Sequence, residues 1–125
     1  MIKLWAFIAL GGAVGALARY GLAGLVQTGG GTFPWGTLVV NVLGSFALGF
    51  LMRYLLGSGV ASPELRAALT IGFCGAFTTM STFSYETVAL VNDGQYWLAW
   101  AYLAGTFVLC LTAVVGGLAT ANQLL

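Results

Sequence analysis

Apolar residues run in four long stretches along this chain, at positions 4–26, 34–56, 67–91 and 96–121, and charged residues fall mostly at or between their edges. Each stretch exceeds the ~20 residues that carry a helix across the hydrocarbon core of a bilayer. The segments between them hold turn formers: Gly29, Gly30 and Gly31 in 27–33; Gly57, Ser58, Gly59, Ser62 and Pro63 in 57–66; Asn92, Asp93 and Gly94 in 92–95. All three are short, so successive helices are predicted to be antiparallel neighbours. The predicted fold is an all-α integral membrane domain of four transmembrane helices spanning residues 1–125, with no length left over for a soluble catalytic domain.

The third stretch breaks the apolar pattern in its middle. Thr78, Thr79, Ser81, Thr82 and Ser84 place five hydroxyls within seven residues. At about 100° per residue these positions surround a helix, so an intact helix facing lipid would push some of them into hydrocarbon. Polar groups at that depth are tolerated against protein or a wet pathway, and broken helices there mark ion or substrate sites. The third span is therefore predicted to break mid-membrane.

Composition sharpens the class. The 125 residues are 60% hydrophobic and 6% charged, against about 25% charged in ordinary globular domains. Trp5, Trp35 and Trp97 open spans, with Trp100 one turn further in, as in the aromatic belts of membrane interfaces. The first stretch is long for the core of a cleaved leader, and Gly11, Gly12 and Gly15 suit helix packing, so it is read as a span. Both termini then share one side with the second linker. That side carries Lys3 and Arg66, with Arg53 near it, against Arg19 on the other. The balance favours cytoplasmic termini, by a margin small enough for mixed insertion. With no histidine and both cysteines inside spans, a Cys/His metal site is excluded and a disulfide framework is not expected. No nucleophile–base set is visible either, so the chain is not read as an enzyme.

The polar residues within the spans are the candidate chemistry. Asn41 has two readings, interhelical glue or a transport role, and the second gains weight beside the hydroxyl cluster. Tyr102, Thr106 and Cys110 recur at i, i+4 and i+8, on one face of the fourth span. They read either as side chains bonded back to their own helix or as a ladder of donors along a narrow path. Arg53 lies where it can snorkel, whereas Arg19 and Glu86 are candidates for a vestibule. The centre offers hydroxyls, an amide and the edge of Phe83, but no carboxylate. That donor set suits a small anion better than a cation or a proton-coupled substrate.

The segments Gly12-Ala-Val-Gly-Ala-Leu-Ala-Arg19-Tyr20, Asn41-Val-Leu-Gly-Ser-Phe46 and Gly72-Phe-Cys-Gly75, followed by Thr78-Thr79-Met80-Ser81-Thr82-Phe83-Ser84, resemble the Fluc (CrcB) fluoride channels. The resemblance extends over the whole chain, in length and span count. It implies a passive fluoride exporter of the bacterial plasma (inner) membrane, acting as an antiparallel, dual-topology homodimer with two pores. Its partners would be fluoride, a second copy and lipid, with no nucleic acid. It also implies a structural Na⁺ on the two-fold axis, held by the backbone carbonyls of Gly75 and Thr78 around the break. By motif position, Asn41, Ser81, Thr82, Phe83 and Ser84 would line the pore, with Tyr102 and Thr106 continuing it and Arg19 near the pore or interface.

One position departs from the pattern. The family carries a second aromatic ring where this chain has Met80, whose thioether lacks a positively polarised ring edge. Conduction is expected to survive there with an altered rate. Two other classes fit part of the pattern. A small multidrug-type exporter would need a membrane-embedded carboxylate, and the first span offers only Arg19. A non-transporting assembly subunit would use its glycines and serines for packing alone.

Overall fold

The computed structural model describes residues 1–125, almost all of them helical. Helix α1 (Ile2–Val26) ends in a short 3₁₀ turn, Gln27–Gly29, and α2 is Trp35–Ser58. Helix α3, residues 63–77, joins an α-helical start (Pro63–Ala67), a π-helical stretch (Ala68–Cys74) and a closing α-turn (Gly75–Phe77). Helices α4 (Met80–Asn92) and α5 (Tyr96–Leu124) complete the chain. By length and composition α1, α2 and α5 can each cross a membrane. Together α3 and α4 take the place of the third apolar stretch as two half-helices.

Two boundaries differ from the sequence reading. Helix α3 starts at Pro63, four residues before the expected span. Ser62 Oγ accepts from the Leu65 N–H at 3.2 Å, and Pro63 occupies the first helical position, where its missing N–H costs nothing. The break is also later and narrower than 75–78, because Gly75–Phe77 is still helical. The extended residues are Thr78 (φ −85°, ψ 157°) and Thr79 (φ −150°, ψ 114°).

Packing relies on close backbone approach. The two most extensive pairs are α1 with α3 and α2 with α5. A Cβ on Gly117 would collide with the Phe46 carbonyl and the Phe50 nitrogen of α2, and one on Gly49 would meet the Val114 carbonyl of α5. Small residues at such crossings let apolar helices associate where water supplies no driving force. Between α2, α4 and α5 lies a compact core of Leu38, Phe83, Leu90, Ala99 and Tyr102. The first linker is tied from within: Gln27 donates Nε2–H to the Gly31 and Phe33 carbonyls, and its Oε1 accepts from the Gly36 N–H at 3.0 Å. Trp5, Trp35, Trp97 and Trp100 are exposed near helix starts. Apolar side chains such as Leu17, Val108 and Leu111 point outward, as a lipid-facing surface requires.

Candidate functional site at the helix break

Two side chains hold the break open by taking the N–H groups that a continuous helix would use. Asn41, buried on α2, clamps Thr79 at both backbone groups. Its Oδ1 accepts from the Thr79 N–H at 2.8 Å, and its Nδ2–H donates to the Thr79 carbonyl at 3.1 Å. In an unbroken helix that N–H would reach the Gly75 carbonyl. Thr79 caps α4, its Oγ1 accepting from the Thr82 N–H at 3.2 Å. That N–H would otherwise reach Thr78. With no backbone bond from Met80 or Ser81 across the break either, the carbonyls of Gly75, Ala76, Phe77 and Thr78 all lose their i+4 donors. Gly75 and Thr78 are the two among them that the resemblance implies as cation ligands.

The geometry at this point is bipolar. The carbonyl end of α3 and the N–H end of α4 meet at Thr78–Thr79, bringing the negative end of one helix beside the positive end of the other. Gly44 makes room for the junction, since a Cβ there would strike Thr78 Cγ2 and Phe77 Cδ1. Thr79 Oγ1 also donates to Thr82 Oγ1 at 3.0 Å and lies 3.3 Å from Ser81 Oγ. The hydroxyls thus form a local network. Freed carbonyls of this kind suit a hard cation, which prefers oxygen.

Two clefts meet at Thr79, which lines both. The larger, about 850 Å³, is open to the surface and includes Arg19, Gln27, Thr37, Thr82 and Glu86. Glu86 is half-buried. Its Oε1 accepts from Thr37 Oγ1 at 2.8 Å and its Oε2 from the Tyr102 hydroxyl at 2.7 Å. The smaller cleft, about 360 Å³, lies between α2, the break, α4 and α5, with Asn41, Met80, Phe83, Thr106 and Cys110 in its wall. Thr106 is 8% exposed, and its Oγ1 is the one buried side-chain polar atom without a hydrogen-bond partner. Buried hydroxyls are normally paired, so an orphan in a cleft wall marks a place for a ligand or water. Phe83, 3% exposed, is held between Tyr102 (centroids 5.0 Å apart) and Phe107 (6.1 Å, edge-on).

The sequence-predicted residues divide into two groups. Asn41, Phe83, Tyr102 and Thr106 are buried, with Thr82 and Glu86 half-buried beside them, and Arg19 stands half-buried in the larger cleft. Tyr102 lines neither cleft and reaches the larger one only through its hydrogen bond to Glu86. Gly75, Met80, Ser81 and Ser84 are exposed, Met80 also bordering the smaller cleft, and Ser84 donates back to the Met80 carbonyl at 2.8 Å. Asn41 keeps one amide hydrogen after clamping Thr79, so glue and donor are compatible roles for it. Thr37 was not singled out from the sequence, and Thr79 was read only as one of the five clustered hydroxyls. Thr37 looks like any threonine near a span start.

The comparisons agree with one another. The family model described as "CrcB-like protein, Camphor Resistance (CrcB)" matches residues 6–118. A Geobacter sulfurreducens protein named fluoride-specific ion channel FluC is 50% identical over 118 residues, covering 94% of this chain and 95% of its own length. A Methanopyrus kandleri protein of the same name is 50% identical over 117 residues, 94% of this chain and 88% of the relative. One from Geobacter metallireducens is 48% identical over 118 residues, covering 94% and 95%. With the match running from α1 into α5 and through every polar position described above, the chain belongs to the CrcB-like family.

Proposed function

We propose that this chain is a fluoride-selective passive channel that lets fluoride leave the cytoplasm. The reading rests on one observation above all, the unpartnered Thr106 hydroxyl in a cleft that also holds the Phe83 ring and the Asn41 amide. The names of the half-identical relatives supply the ion. A small, strongly hydrated anion gives up its water hydrogen bonds on entering a narrow path, and neutral donors replace them. No carboxylate lines the smaller cleft to repel it. In the larger cleft the two Glu86 oxygens are turned toward Thr37 and Tyr102, and Arg19 lines the same space. The ion would pass from that mouth past Thr79 and Thr82 to Phe83 and Thr106. An inside-negative potential drives it outward with ~2.3 kcal/mol per charge per 100 mV, so neither ATP nor a coupled ion is needed. The activity is transport, not catalysis.

The working unit is an antiparallel homodimer with two pores in the bacterial plasma membrane. Met80, Ser81, Ser84, Tyr85 and Val88 form an exposed stripe on α4, with Gly75 exposed beside it. Hydroxyls and a freed carbonyl at membrane depth are costly against lipid. A second copy would cover them. Opposed insertion is supported by the thin charge bias of Lys3, Arg53 and Arg66 against Arg19. The same contact would bring two pairs of Gly75 and Thr78 carbonyls around one Na⁺. When bound, that ion supplies positive charge to carbonyl oxygens that have lost their N–H partners. Ser81 and Ser84 would join the pore from that face.

Growth tests the function in a living cell. In a bacterium stripped of its own fluoride export, expression of this chain is expected to restore growth on fluoride medium. Continued fluoride sensitivity with the protein present in the membrane contradicts the proposal.

A further inference from the structure

The smaller cleft carries two sulfur atoms that a fluoride path does not need. Met80 lines it from the start of α4, and Cys110 lines it from α5, one helical turn beyond Thr106. Cys110 is half-buried, and both sulfurs border the cleft itself, which remains their route to an entering ion when a second copy covers the outer stripe of α4. The unpartnered Thr106 hydroxyl in the same wall shows that the cleft has a ligand position its own side chains leave unfilled. Cys74 differs: it is 1% exposed and lines neither cleft.

Ligand chemistry narrows what such a cleft can hold. Nowhere in the chain do three His, Cys, Asp or Glu side chains gather, and no carboxylate lines this cleft, so zinc and hard divalent ions have no side-chain set here. A thiolate and a thioether are soft donors, and they select soft d¹⁰ ions such as Cu⁺ over borderline or hard ones. Two sulfurs suffice for an ion that accepts linear, two-coordinate binding. Methionine is unbranched, with three rotatable bonds, and can swing its sulfur toward a partner across a cleft.

We propose that Cys110 and Met80 form a binding site for a soft monovalent d¹⁰ cation, with Ag⁺ as the probe and Cu⁺ as its natural counterpart, and that occupancy closes the cleft to fluoride. Binding needs no oxidant: the Cys110 S–H bond breaks, its proton goes to water, and a sulfur–metal bond forms with the Met80 thioether as second ligand. The resulting thiolate–metal unit is neutral and plugs the cleft beside Thr106 and Phe83. The closing of the pore rests on the channel reading; the metal site does not.

Silver titration of the purified full-length protein in chloride-free nitrate buffer, with the released protons counted, tests the site. One Ag⁺ per chain and one proton per Ag⁺ are expected. Cys110→Ala should abolish this binding, and Cys74→Ala should leave it intact. Met80→Leu, which keeps an unbranched-to-Cγ apolar side chain and removes the sulfur, should weaken it by more than the ~10–100-fold that loss of an outer-shell partner costs a metal site. Stoichiometry that follows Cys74, or an affinity indifferent to Met80→Leu, overturns the two-sulfur site. Fluoride efflux from liposomes, read with a fluoride electrode before and after silver nitrate, tests the closure. Arrest that is relieved by dithiothreitol supports it, and undiminished efflux with silver bound overturns it. A protein that passes no fluoride before silver is added defeats the channel reading, while the titration still decides the metal site.

Discussion

Replacing Thr106 with valine separates stability from conduction, because the two are predicted to move in opposite directions. The change keeps the branched shape and removes the hydroxyl that has no partner in the cleft wall. An unsatisfied buried hydroxyl costs ~1–3 kcal/mol, so the empty protein should become more stable, or at worst unchanged, by up to that amount. The ion loses by the same substitution. A hydrogen bond to a charged group is worth ~1.5–3 kcal/mol, and at ~1.4 kcal/mol per factor of ten its loss lowers fluoride occupancy about 10- to 150-fold. Thermal unfolding in detergent reads the first effect, and efflux from liposomes with few channels each reads the second. Thr106→Val protein that melts lower while passing fluoride at the original rate would refute the reasoning. The hydroxyl would then be a structural group with an unseen partner, and the path would lie elsewhere.

Other substitutions probe the break, the missing ring and the packing. Asn41→Leu should strip both clamps from Thr79, leaving its buried N–H and carbonyl unpaired at ~1–3 kcal/mol each; amide exchange at Thr79 should quicken and conduction fall, and unchanged protection there counts against the clamp. Met80→Phe restores the ring that the family carries, and efflux should persist at a different rate; identical rates with identical anion density would show that position 80 does not touch the ion. Gly117→Ala drives a methyl into the α2 backbone at Phe46 and Phe50 and should cost ~1–3 kcal/mol by overpacking, read as a lower melting temperature. Exchanging Na⁺ for a large organic cation during purification should lower both stability and flux if the Gly75 and Thr78 carbonyls hold sodium; equal behaviour in the two salts argues against that site.

The four apolar stretches were legible because nothing else accounts for runs of that length with so few charges. The break was legible in kind, since five hydroxyls could not all face lipid. Its position was not, because Asn41 fixes it from 38 residues away by diverting the Thr79 N–H. Periodicity carries no trace of such a pairing. The start of α3 was written locally in Ser62-Pro63-Glu64, a cap followed by proline at the first helical position, but these residues also read as a linker. The π-helical turn of Ala68–Cys74 has no sequence signal of its own. On α5 the i, i+4 spacing correctly put Tyr102 and Thr106 on one buried face, and it left their partners open. Tyr102 found Glu86, and Thr106 found none. Glu86 read as an isolated charge near a helix end, yet its place depends on Thr37 and Tyr102 from two other helices, contacts that only the folded chain creates.

Selective permeability of the purified protein bears on the central claim most directly. Liposomes loaded with equal potassium fluoride and potassium chloride, carrying a potassium shunt and no proton gradient, separate the possibilities in one trace. Fluoride is expected to leave rapidly down its gradient while chloride stays behind. Efflux that requires a proton gradient, chloride that keeps pace with fluoride, or vesicles that release neither ion would contradict a passive fluoride channel.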